Sequence, residues 1–141
     1  MIIEESILIH AQPEKVWNTF TDISCWKNWN TVLKDVTPGG AEMIKGNRVN
    51  LFIYLFGFPV SVGLEIEEVM PGTLIVWSGA KFGISSRHEF IFQKCGKGVI
   101  VISRETFQAI GLRALGLLFP GGMIRELTLL LLKDLKAVAE R

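Results

Sequence analysis

The sequence predicts an α+β domain: a curved antiparallel sheet of about six or seven strands wrapped on a long C-terminal helix, with two short helices after the first strand. Three observations lead there. A helix opened by a proline follows a short β-branched N-terminal strand. A strand-rich middle is cut into short segments by Gly and Pro turns. The C-terminal segment then changes to one very apolar helical pattern. Strands followed by a segregated helix make an α+β chain, and the short links make its sheet an antiparallel meander.

The first strand lies in the β-branched stretch that begins at Ile2 and precedes Pro13. Pro13 then opens a helix, because its missing N–H is not needed in the first turn. Glu14 suits the positive end of that helix dipole. Trp26 and Trp29 mark a second short helix. A weaker strand is predicted at Thr31–Thr37, before Pro38-Gly39-Gly40. Val49–Phe56 and Val60–Val69 flank Gly57-Phe58-Pro59 and form a predicted hairpin. Pro71-Gly72 turns the chain into Thr73–Lys81, and Ile84–Lys94 follows. Gly96-Lys97-Gly98 is a tight connection to Val99–Phe107. A hairpin centred on Lys97 puts Glu105 opposite Glu89 and diagonal to His88, although a slip of one residue changes that pairing.

From Leu112 the strand formers give way to Leu, Ala, Arg, Glu and Lys, and Pro120-Gly121-Gly122 predicts a break. The main helix is predicted from about Met123 to Ala139. Met123, Leu127, Leu130, Leu131, Leu135 and Val138 share one face. Ile124, Leu129 and Leu132 widen the apolar arc, so the helix must be enclosed by something.

The chain has 141 residues, enough for one domain with its own core, and 1–141 is read as a single domain. Its hydrophobic fraction is 49%, and its mean hydropathy is +0.36. The net charge of +1 implies no large field for nucleic acid or acidic membranes. Aromatics interleaved with a basic patch are missing, so nucleic acid is not an expected partner. The longest uncharged run, Val49–Leu64, contains the Gly57-Phe58-Pro59 turn and does not read as a transmembrane segment. Glu4 and Glu5 stand where a signal peptide would be basic. A cytoplasmic location is expected. Cys25 and Cys95 form no zinc or redox spacing and are expected to be reduced, partly buried thiols. No nucleotide loop, nucleophile elbow or zinc-protease motif is present, and only His10 and His88 supply imidazole. No metal or cofactor is expected.

Strand alternation sorts the residues that could carry chemistry. His88 shares a face with Ile84, Ser86, Phe90 and Phe92. Glu105 shares a face with Val99, Val101, Ser103 and Phe107, although both faces of Val99–Ile102 are apolar and its inward face stays open. If the Phe-bearing faces look inward, His88 and Glu105 enter one cavity from neighbouring strands, with Trp77 and Gly79 beside them. A His and a carboxylate in an apolar pocket are candidates for an acid/base pair. The plainer alternative is that they satisfy each other or that Glu105 anchors a loop. Trp77 is a candidate for ligand contact against core packing. Tyr54 offers a hydroxyl in an apolar wall, the sparse polar group that orients a ligand; against that, single polar strand residues often face solvent. The candidate ligand-binding set is Tyr54, Trp77, His88, Phe90 and Glu105.

The order strand, Ala11-Gln12-Pro13-Glu14-Lys15-Val16-Trp17, Phe20-Thr21-Asp22, then Trp26 resembles the opening of the START-like (SRPBCC) superfamily. That superfamily includes the polyketide cyclase/dehydrase and Bet v 1-type proteins. Leu74–Gly79, Arg87-His88-Glu89-Phe90 with Phe92, and Arg104-Glu105 with Phe107 resemble the middle of its uncharacterised bacterial members. The Pro120-Gly121-Gly122 break departs from the more continuous helix usual there. The resemblance covers essentially the whole chain and implies a helix-grip fold built around a ligand cavity. It implies, first, binding of a hydrophobic small molecule such as a lipid, polyketide or aromatic compound. A cyclase or dehydratase using His88 and Glu105 is the second reading. A protein-interaction module is the third, and a homodimer is compatible with each.

Overall fold

The computed structural model describes residues 1–55, 57–109 and 121–141. The elements run β1 (Ile2–Ile9), α1 (Pro13–Thr21), a 3-10 turn (Ile23–Asn28), β2 (Leu33–Asp35), β3 (Arg48–Leu55), β4 (Phe58–Met70), β5 (Leu74–Lys81), β6 (Ile84–Cys95), β7 (Gly98–Ala109) and α2 (Gly121–Ala139). The seven strands form one antiparallel sheet in the order β1-β7-β6-β5-β4-β3-β2. Each predicted strand is present, with ends moved by a few residues. The predicted Thr31–Thr37 strand shortens to β2. Phe56 and the Pro120 break lie outside the described residues. No helix among the described residues is long and apolar enough to cross a membrane.

Alternation gives the sheet one apolar face. Val99 and Val101 on β7, Phe90 and Phe92 on β6, Ile75 and Trp77 on β5, Leu64 and Ile66 on β4, and Val49 and Leu51 on β3 are all buried there. α1 closes one end of this face. Its Val16 and Phe20, one helical turn apart, are fully buried. Phe20 packs against Phe90 at 4.7 Å between ring centroids and stacks on Trp77 at 6.2 Å. Trp17 meets Phe92 edge-on at 5.0 Å. The 3-10 turn adds Trp26, whose indole N–H donates to Phe20 O at 2.8 Å and so is paired within this core.

α2 packs on β1 and α1, burying Thr128, Leu131, Leu132, Leu135 and Ala139. The predicted face is corrected at one position: Leu130 is 42% exposed. The buried arc runs through residues 128, 131, 135 and 139, and Leu130 lies outside it. The hydroxyl of Thr128 is satisfied by Ile124 O at 2.8 Å, which lets a polar residue sit in this arc. The burial expected of the cysteines is also corrected. Both are free and exposed, because Cys25 lies on the outer side of the 3-10 turn and Cys95 at the end of a hairpin.

Candidate functional site

The β6–β7 hairpin closes through the two-residue loop Gly96-Lys97, with Cys95 paired to Gly98. This puts His88 directly opposite Glu105, one residue away from the pairing predicted around Lys97. The loop holds two residues rather than three, and every cross-strand pair moves by one. On the inner face, His88 therefore lies between Trp77 of β5 and Glu105 of β7, with the pairs Phe90–Ser103 and Ser86–Phe107 on either side.

His88 is buried, and its ring is held on three sides. It stacks on Phe90 at 4.1 Å and meets Trp77 edge-on at 5.8 Å. Nε2 and Ser103 Oγ share a 2.6 Å hydrogen bond whose donor follows the ring tautomer. Nδ1 faces Glu105 Oε1 at 3.7 Å. Glu105 also accepts a hydrogen bond from Ser86.

The His88–Glu105 separation is within ion-pair range, but burial of both groups favours their neutral forms. Desolvation lowers the imidazole pKa from its ordinary 6.5 to about 3. Desolvation raises the Glu105 carboxyl from 4.5 to about 7, against the smaller lowering effect of the Ser86 hydrogen bond. A neutral imidazole thus adjoins a carboxyl that titrates near neutral pH. That carboxyl can donate, accept or exchange a proton, while the imidazole is a weak base.

The structure brings together four of the five predicted site residues: Trp77, His88, Phe90 and Glu105. Tyr54 is corrected. On β3 the buried residues are Val49 and Leu51, so Tyr54 points to the opposite face and is 50% exposed. It borders a surface hollow of about 500 Å³ with Trp26, Asn30, Lys34 and neighbouring residues. A second hollow of about 740 Å³ crosses the outer side of the sheet between Arg48 and Arg87. Neither is lined by Trp77, His88, Phe90 or Glu105. Trp77 and Phe90 pack on Phe20, so at this depth the inner face is occupied by α1.

Two polar members of the cluster, Ser86 and Ser103, were absent from the predicted set. Alternation had already put each on the face of its neighbour, His88 or Glu105, and their small hydroxyls gave no further signal. The inward face of β7 is settled by Val99, Val101 and Ser103, all buried. Gly79 lies across from Ser86, with no side chain to fill the inner face there.

The chain matches the family model described as polyketide cyclase/dehydrase and lipid transport over residues 1–140. No curated protein matches the chain in sequence. Its fold is similar to that of protein CV1439 from Chromobacterium violaceum, with a TM-score of 0.77 at 17% identity, covering 99% of this chain and 97% of that one. It is similar to a START superfamily protein from Mycobacterium smegmatis, with a TM-score of 0.73 at 14% identity and the same coverage of 99% and 97%. It is also similar to Ara h 8.0201, with a TM-score of 0.75 at 11% identity, again covering 99% and 97%. With a curled seven-stranded sheet, a C-terminal helix and a family match along nearly its whole length, the chain belongs to the polyketide cyclase/dehydrase and lipid transport family.

Proposed function

We propose that the protein binds a hydrophobic small molecule, of lipid, polyketide or aromatic type, between the inner face of the sheet and α2. Ser86, His88, Ser103 and Glu105 form the polar end of this site. One observation supports the reading most: these four hydrogen-bonding side chains adjoin on β6 and β7 within a wall that is otherwise aromatic and aliphatic. Sparse, convergent polar groups in an apolar wall are what orient a small ligand. Native mass spectrometry of protein purified from cells is expected to detect a retained organic molecule, and an environment-sensitive apolar dye is expected to displace it. Finding neither a retained mass nor dye binding would count against this function.

A second reading, a cyclase- or dehydratase-like activity, is favoured by one observation. The Glu105 carboxyl is raised to about 7, where a general acid or base works best at neutral pH. His88, lowered to about 3, serves there as a neutral hydrogen-bonding partner. The expected signature is a retained molecule in Glu105→Gln that is heavier by one water than the one in the unmodified protein. Identical masses in the two proteins leave binding as the function.

A further inference from the structure

Two hairpin turns project from the same end of the sheet, and each carries an exposed phenylalanine. Phe58 is 70% exposed beside the turn glycine Gly57, and Phe82 is 77% exposed in the β5–β6 turn. The Phe82-Gly83 turn breaks a local rule. Lys81 pairs with Ile84, so the loop has two residues, and both have positive φ, 55° at Phe82 and 75° at Gly83. That turn favours Asn-Gly or Gly-Gly; a bulky residue in the left-handed region carries strain. Lys81 Nζ lies 5.4 Å from the Phe82 ring centroid, a weak compensation at an exposed site. A strained residue that presents its ring to solvent points to a function for the ring.

The charges on the two turn segments share one sign. Ile53–Ser61 and Ser78–Arg87, the segments forming the two turns, contain no carboxylate. Lys81 is exposed beside Phe82. Tyr54, next to the first turn, borders a hollow with the exposed Lys27 and Lys34. Asp35, the carboxylate of that hollow, accepts from Thr37 N at 3.0 Å and Thr37 Oγ1 at 2.6 Å and is outnumbered by the two lysines. A net charge of +1 creates no overall field, but this end of the molecule is locally basic.

We propose that this end docks on an anionic lipid bilayer. Phe58 and Phe82 enter the acyl boundary, Tyr54 lies at headgroup level, and Lys27, Lys34 and Lys81 face lipid phosphates. The geometry favours a bilayer over a second copy of the chain. Continuing the Leu64–Gly79 pairing brings the Phe82 turn level with Ser61, and the Phe58 turn projects about 10 Å further. Separate, staggered aromatic tips suit a fluid surface. A stable dimer needs roughly 800 Å² of contiguous surface on each partner. Docking does not depend on what the interior binds.

Co-sedimentation with phosphatidylcholine vesicles, with and without phosphatidylglycerol, tests the proposal. The unmodified protein is expected to pellet with the phosphatidylglycerol-containing vesicles and to be released by salt. Phe58→Ser and Phe82→Asn are each expected to weaken binding by about tenfold, the effect of removing one partly buried aromatic side chain. Lys81→Gln is expected to weaken only the phosphatidylglycerol-dependent part. Asn tolerates the left-handed conformation, so Phe82→Asn is expected to keep or raise the melting temperature, which separates lost docking from lost folding. Absence of the unmodified protein from the pellet, or equal pelleting of the double variant, overturns the proposal. So does a dimer in sedimentation velocity that Phe82→Asn converts to monomer.

Discussion

His88 and Glu105 exchange places as proton carriers when the chain folds. In the unfolded chain the imidazole binds its proton near 6.5 and the carboxyl near 4.5; in the folded chain these values become about 3 and about 7. Between pH 4.5 and 6.5 each state holds one proton on this pair, on His88 when unfolded and on Glu105 when folded. The pair then adds no slope to stability. Below 4.5 the unfolded chain binds both protons while the folded chain holds one, so stability falls as pH drops toward 3. The Glu105 contribution, present below 4.5, is lost as pH rises through 7. Glu105→Gln removes that contribution and leaves the His88 loss on the acid side. The stability advantage of the unmodified protein over this variant, read from urea midpoints, should therefore shrink from pH 4.5 to 7. The slope should be on the order of 1 kcal/mol per pH unit. A difference independent of pH would mean that Glu105 does not hold its proton in the folded state. In the folded protein, NMR titration of the His88 ring should show no protonation between pH 5 and 8, unlike an ordinary histidine.

At the scale of the element, β5 and α2 give the sharpest tests. Gly79 lies where β4 and β5 approach closely. A Cβ there would sit 2.7 Å from the Gly63 carbonyl oxygen and 2.8 Å from Leu64 Cδ2. The first neighbour is backbone and cannot turn aside. Gly79→Ala should destabilise by about 1–3 kcal/mol, as overpacking does, measured by the urea midpoint. On α2, Leu131 is buried and Leu130 is 42% exposed. Leu131→Ala should cost about 2–5 kcal/mol, while Leu130→Ala should stay within about 0.5 kcal/mol. Equal losses at the two positions would show that the helix packs through a different face.

At the scale of the molecule, α2 links the two edges of an open sheet. On the β1 side, Arg125 pairs with Glu5, Lys136 Nζ donates to Leu8 O at 2.8 Å, and His10 N donates to Glu140 Oε2 at 2.7 Å. On the other side, Asp134 Oδ2 accepts from Thr31 N at 3.0 Å and Thr31 Oγ1 at 2.6 Å, just before β2. The apolar arc supplies burial, and these polar contacts set the direction in which the helix crosses. Asp134→Ala removes two charge-assisted bonds at once and should cost about 1–3 kcal/mol. Hydrogen exchange should show the added opening at the Thr31–Asp35 end, with β6 and β7 unchanged; uniform loss of protection would contradict this local linkage.

The chain itself determined the α+β class, every strand of the sheet, the helix opened by Pro13 and the enclosed C-terminal helix. These follow from period-2 and period-3.6 apolar patterns and from Gly and Pro turns, all properties of neighbouring residues. It also put His88 and Glu105 on one face, because alternation needs no knowledge of the partner strand. The tertiary structure decided what depends on distant segments. Tyr54 faces outward because β3 buries Val49 and Leu51, a choice made by the neighbouring sheet and not by the hydroxyl. His88 stands opposite Glu105 because the Gly96-Lys97 loop has two residues, and loop closure sets register for both whole strands. Ser103 becomes a partner of His88 only through that register. The proton positions on His88 and Glu105 follow from burial among Phe90, Trp77 and the rest of the core, and burial exists only once the chain has closed.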